Sequence, residues 1–215
     1  MEYLIGIDLG TSGTKTVLFD RLGKVIASAT VEYPLYQEKN GWAEQDPLDW
    51  WHASCETLQS VIGQSGVDPR DIKGLGISGQ MHGLVMLDKQ GQVLRRSILW
   101  CDQRTAKQCE EITQRVGKER LIQITANPAL TGFTASKILW VRENEPELYA
   151  QCAHILLPKD YVRYMLTGEF ATEVSDASGM QLLDVPHRCW SQEVLEKLDI
   201  APALLAKVYE SPEIT

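Results

Sequence analysis

Apolar and polar positions follow one texture through the first hundred residues and another after them. Residues 3–9 (YLIGIDL), 15–20 (KTVLFD) and 25–33 (VIASATVEY) are short runs rich in β-branched and large apolar residues, joined by short links. They predict three strands in an antiparallel meander. After the polar stretch QEKNGWAEQD, Asp46 and Pro47 read as a helix N-cap followed by a first-turn proline. Leu48, Trp51, Cys55, Leu58 and Ile62 then recur at 3–4 spacing. That predicts an amphipathic helix over 47–62 with those five residues on its inner face. Further strands are expected at 72–78 (IKGLGIS), at 84–88 (LVMLD) and within 93–100, which ends in SILW. The order is β-β-β-α-β-β-β. Beyond residue 104 the helical spacing takes over, at 105–116, 135–144, 158–167 and 191–199, with connectors rich in Pro, Gly and Thr. The expected organisation is a strand-rich core over 1–104 and a mostly helical extension of the same domain over 105–215.

Composition narrows the function classes. The chain has 215 residues, 44% hydrophobic and 23% charged, as in an ordinary globular protein. Its net charge of −8 argues against a nucleic-acid-binding surface and against adsorption to anionic membranes. A loop of backbone amides still binds phosphate in an acidic protein. The five cysteines are odd in number and none has C-x-x-C spacing, so free thiols in a reducing cytoplasm are expected. No apolar run approaches the roughly 20 residues of a membrane helix, and no secretory leader is expected.

The densest candidate chemistry is IGIDLGTSGTKTVLFD, residues 5–20. A lone acid, Asp8, closes the first strand, and Gly10, Thr11, Ser12, Gly13, Thr14 and Lys15 follow it. Consecutive amides in such a bend make a concavity for phosphate oxygens. Glycines 10 and 13 are expected to allow close approach and positive φ. Asp8 suits a magnesium ion held through its water shell, and Lys15 suits developing negative charge. A loose hairpin with a surface Asp is the ordinary alternative. It is not a Walker A loop, because strand-like sequence, not a helix, follows Thr14. GLGISG (74–79) matches a dinucleotide fingerprint in letters only, since it lies within a strand; its glycines are assigned to close packing. SGQMHG (78–83) puts Gln80, Met81 and His82 between glycines at a strand end, where α/β ligands gather. WCDQR (100–104) offers Trp100 as a face for a sugar. There Asp102 and Arg104 either bind hydroxyls or brace each other.

These stretches, with WAEQDPLDWW, GFTASKILWVREN and LLPKDYVRYMLTGEFATEVSDASGM, resemble the N-terminal half of an FGGY carbohydrate kinase, over essentially the entire chain. The resemblance implies an α/β fold: an actin-like, ribonuclease-H-like domain with a mixed β-sheet, flanking helices and a largely helical insertion. It implies ATP and Mg²⁺ as cofactors, with the phosphates on residues 10–15 and Asp8 beside the metal. It places Gln80, Met81, His82, Trp100 and Asp102 at the sugar, and leaves Lys137 and Trp140 mainly structural. Gln-Met-His at 80–82 is most similar to members acting on D-xylulose. Gluconate and ribulose are the close alternatives. An actin- or chaperone-like ATPase switch and a non-catalytic sugar-binding regulator are the distant ones. The family's C-terminal domain, with most of the adenine pocket, and its general base are expected to lie beyond residue 215. The expected partners are a small sugar and ATP, with no nucleic acid or membrane; a homodimer is allowed.

Overall fold

The computed structural model describes residues 2–215. Three antiparallel strands, β1 (Tyr3–Leu9), β2 (Gly13–Asp20) and β3 (Val25–Glu32), form the predicted meander. In β1, Ile5, Ile7 and Leu9 are buried while Leu4 and Asp8 are exposed, the period of two that a half-covered sheet requires. A two-residue strand β4 (Glu44–Gln45) precedes helix α1 (Pro47–Ser65). The helix starts as its sequence predicts, with the Asp46 carboxylate accepting from the Leu48 amide at 2.9 Å and Pro47 in the first turn.

The buried face of α1 differs from the expectation. Trp50, Ala53, Ser54, Thr57 and Val61 face the sheet, whereas Leu48 is exposed and Cys55 is only partly buried. The reason is polar pairing. Thr57 Oγ1 meets Thr16 Oγ1 of β2 at 2.7 Å, and Ser54 donates to the Trp50 carbonyl. Paired hydroxyls are cheap to bury, and counting apolar letters alone shifts the stripe by one residue.

The α1 crossover leads to β5 (Ile72–Gly79), which pairs parallel to β1, giving the order β3-β2-β1-β5. GLGISG is thus a strand. Close packing is real at Gly79, where a Cβ would lie 2.8 Å from Leu9 Cβ, but not at Gly76, which has nothing within 4 Å. Short strands β6 (Val85–Leu87) and β7 (Ser97–Ile98) follow.

After residue 104 come α2 (Ala106–Val116), α3 (Lys118–Thr125), α4 (Thr134–Asn144), α5 (Pro146–Tyr149), β8 (His154–Leu156) and α6 (Pro158–Thr167). The chain then runs through β9 (Ala171–Glu173), α7 (Val174–Ala177), β10 (Leu183–Asp184), β11 (Cys189–Trp190), α8 (Gln192–Leu198) and β12 (Lys207–Tyr209). The four expected helices are α2, α4, α6 and α8. The charged run around 110–120 is two helices, divided at Gly117, whose φ of 91° ends α2. One core cluster joins Leu84, Met86 and Ile98 to Ile112, Ile138 and Leu195, so it draws on both sides of residue 104. No helix among the described residues is long and apolar enough to cross a membrane.

The parallel register fixes the place of the chemistry. Asp8 pairs with Ser78 and Leu9 with Gly79. The bend after β1 and the turn after β5 therefore leave the sheet side by side, about 4.8 Å apart.

Candidate active site

The first loop hangs from β1 and β2. Gly10 N–H closes the bend on the Gly13 carbonyl at 3.0 Å. Neither Gly10 nor Gly13 has positive φ, contrary to expectation. Space explains both glycines: a Cβ on Gly13 would sit 2.7 Å from the Val31 carbonyl oxygen, and one on Gly10 3.0 Å from that of Gly13. Among the described residues, the amides of Thr11 and Ser12 donate to no protein acceptor. Asp8 and Lys15 are cross-strand neighbours and are exposed. They line a shallow groove of about 470 Å³ with Gly6, Val17, Gly76 and Ser78. Thr14 differs: its side chain is fully buried, so it offers the loop only its backbone.

A buried amide ties this loop to the turn after β5. Gln45 Nε2 donates to the Thr11 carbonyl at 2.7 Å, and Gln45 Oε1 accepts from Trp50 Nε1 at 3.0 Å and Gln80 Nε2 at 2.8 Å. The Gln80 backbone amide reaches the Leu9 carbonyl at 2.7 Å. Gln80 is thus a buried strut rather than an open contact. Gln45, in the polar stretch before the Asp46 cap, is the hub. Trp100 remains part-exposed, and its indole N–H donates to Thr11 Oγ1 at 3.1 Å. A flat apolar face therefore stands beside the phosphate-type bend.

Asp102 lies elsewhere. It is fully buried; Oδ2 accepts from the Ala43 amide at 2.7 Å, and both oxygens are held by the Arg104 guanidinium. Arg104 also pairs with Glu44 at 2.7 Å and stacks on Trp42. The two residues brace each other, and this carboxylate has no free face for a hydroxyl.

Met81 is exposed and His82 partly buried. Gly83 N–H returns to the Met81 carbonyl at 2.8 Å around His82, whose φ is 64°. That is the γ-turn form rarely adopted by a side-chain-bearing residue. Burial, with a smaller contribution from Lys137, pushes the His82 imidazole down to about 4, so it is neutral at physiological pH. Lys137 is fully buried in α4 and reaches back to the His82 carbonyl at 3.1 Å. Among the described residues Lys137 hydrogen-bonds only to backbone carbonyls, one of them in the Gln-Met-His turn. Burial pushes it down to about 7, with Asp102 opposing. Trp140 is structural: it meets Trp42 edge-on at 5.5 Å.

Asp8 stands without a cluster around it: no group of three or more His, Cys, Asp or Glu among the described residues forms a metal cage. A lone exposed carboxylate beside free amides suits an ion that keeps its water and takes phosphate oxygens. The bend after β1 and the neighbouring turn after β5 thus carry unpaired amides, one carboxylate and a neutral imidazole, with Trp100 bonded to the bend.

Comparison with known proteins gives this arrangement a context. Residues 3–215 match the FGGY family of carbohydrate kinases, N-terminal domain. The xylulose kinase of Bacillus subtilis (strain 168) is 48% identical over 211 residues, which is 98% of this chain and 42% of that protein. Among solved structures, a "xyloylose kinase" from Brucella ovis superposes with a TM-score of 0.93 at 36% identity, over 100% of this chain and 44% of that one. A gluconate kinase from Lactobacillus acidophilus superposes with a TM-score of 0.90 at 31% identity, over 97% and 42%. The chain spans less than half the length of each of these relatives.

Proposed function

The chain belongs to the FGGY family of carbohydrate kinases, and from that premise we propose that it supplies the sugar- and phosphate-binding lobe of an ATP-dependent kinase converting D-xylulose to D-xylulose 5-phosphate. Its fold is the actin-like one of that family, a mixed sheet with flanking helices. The observation that carries the proposal is the register of β1 and β5, which sets the Asp8 bend beside the Gln80–Gly83 turn. Phosphoryl transfer needs little covalent chemistry from a protein and much positioning and charge neutralisation. In this reading the Thr11 and Ser12 amides hold the anionic tail of ATP, with the backbone of Gly10, Gly13 and Thr14 shaping the bend. Lys15 adds positive charge. Asp8 would hold a magnesium ion, which would supply charge neutralisation at the phosphates. Met81 and His82 contact the sugar, the neutral imidazole exchanging a hydrogen bond with a hydroxyl. Trp100 covers an apolar sugar face, while Gln80 and Asp102 act from behind it.

Gluconate is the second reading, supported by the likeness to the Lactobacillus acidophilus gluconate kinase. The test is sugar-dependent ADP release by a protein carrying this chain together with the remaining domain of its relatives. D-xylulose, gluconate and ribulose are compared with a sugar-free control. The proposal expects the highest kcat/KM for D-xylulose and little release without sugar. Release that ignores all three sugars would instead indicate an ATPase switch.

A further inference from the structure

We propose that Lys137 and Gly179 are positioning residues for sugar recognition: with Thr134 and Phe133 they form a cradle that sets the backbone and the ring of His82. The inference rests on the kinase reading above and deepens it. It starts from the unfavourable conformation of His82, a non-glycine residue with φ of 64° at the centre of a turn closed by Gly83 N–H and the Met81 carbonyl. Such a conformation persists only where its surroundings over-determine it.

The surroundings are two segments distant in sequence. From the start of α4, Thr134 Oγ1 and Lys137 Nζ each donate to the His82 carbonyl at 3.1 Å. The other two ammonium hydrogens of Lys137 have the Gly132 and Phe133 carbonyls, at 2.5 and 3.2 Å. Three donors therefore meet three carbonyls inside a fully buried site, the complement of an ammonium group. One of these bonds holds the peptide that aims the histidine.

The ring is fixed from the other side. Phe133 packs on it with centroids 4.7 Å apart. Gly179 lies against its edge: a Cβ there would be 2.1 Å from His82 Nε2 and 2.2 Å from Cδ2. The backbone of Gly179 is not in the left-handed region, so its conformation does not demand glycine. The imidazole does. Among the described residues no protein group hydrogen-bonds either ring nitrogen, so the cradle holds the ring by shape, with Gly179 against the Nε2 edge.

The test uses two readouts. The first is ring ¹H–¹⁵N spectra of the 215-residue chain, whose four histidines are few enough to assign with a His82→Gln variant. Gly179→Ala and Lys137→Gln are expected to move the His82 ring signals and leave those of His52, His154 and His187 in place. The second is steady-state kinetics of the same substitutions in the longer kinase described above. Gly179→Ala is expected to lower kcat/KM for D-xylulose at least tenfold and leave KM for ATP unchanged. A folded Gly179→Ala protein with unmoved His82 signals overturns the cradle. Equal losses toward sugar and ATP overturn the positioning role and leave only packing. If the His82 signals move as expected but no sugar supports ADP release by the unsubstituted kinase, the cradle stands and the kinase reading falls. Should Lys137→Gln not fold, the Gly179→Ala spectra decide alone.

Discussion

Asp8→Asn, made in a protein carrying this chain with the remaining domain of its relatives, is expected to lower kcat by about 10³, the scale on which single electrostatic contacts to a developing charge act. KM for the sugar is expected to stay within about threefold, because the sugar-facing residues leave a different strand and an interaction made chiefly in the transition state acts on kcat. The physical basis is position. Asp8 is the last residue but one of β1, is exposed, and precedes the bend that carries the unpaired amides of Thr11 and Ser12. The substitution keeps shape and removes charge, so packing is undisturbed. Steady-state kinetics with ATP and sugar varied separately measure both quantities. A kcat within tenfold of the unsubstituted enzyme would remove Asp8 from the phosphate site.

Asp102→Ala carries the second large effect, and it acts on stability. The Asp102 carboxylate and the Arg104 guanidinium are both buried, with side-chain exposures of 0% and 1%. Removing the carboxylate leaves a buried cation short of its main partner and the Ala43 amide without an acceptor. Breaking such a pair from one side costs roughly 3–5 kcal/mol, against a total stability of about 5–15 kcal/mol for a domain. The expected result is a clear fall in urea midpoint for the chain, with little change in the denaturant slope. Glu44, at 2.7 Å from the same guanidinium, softens the loss without replacing the lost contact to Ala43. An unshifted midpoint, combined with a raised KM for sugar in the longer kinase, would return Asp102 to the sugar pocket.

The strands and long helices were legible because their periods are local. β1 alternates by two, and α1 carries its own cap and first-turn proline. The inner face of α1 was misplaced because Ser54 and Thr57 are buried as hydrogen-bonded hydroxyls, which apolar counting passes over. The Asp8 bend and the Gln-Met-His turn stood out because unusual residue types cluster there. Gln45, Lys137 and Gly179 did not. Each is an ordinary residue whose meaning lies in a distant partner: Gln45 with Gln80, Lys137 with His82, and Gly179 with His82 again. All three sit in stretches the family resemblance marks, but only Lys137 is given a role there, a structural one. Asp102 and Arg104 left two readings open until burial and geometry chose the brace.

The bend between β1 and β2 is the proposed seat of a nucleotide's phosphates. The most direct measurement is a ¹H–¹⁵N backbone titration of the chain with Mg²⁺–ATP. The Thr11 and Ser12 amides are expected to shift first and furthest, with Gly10 and Gly13 following. Saturating nucleotide that leaves these four amides unmoved, while others shift, would contradict this placement.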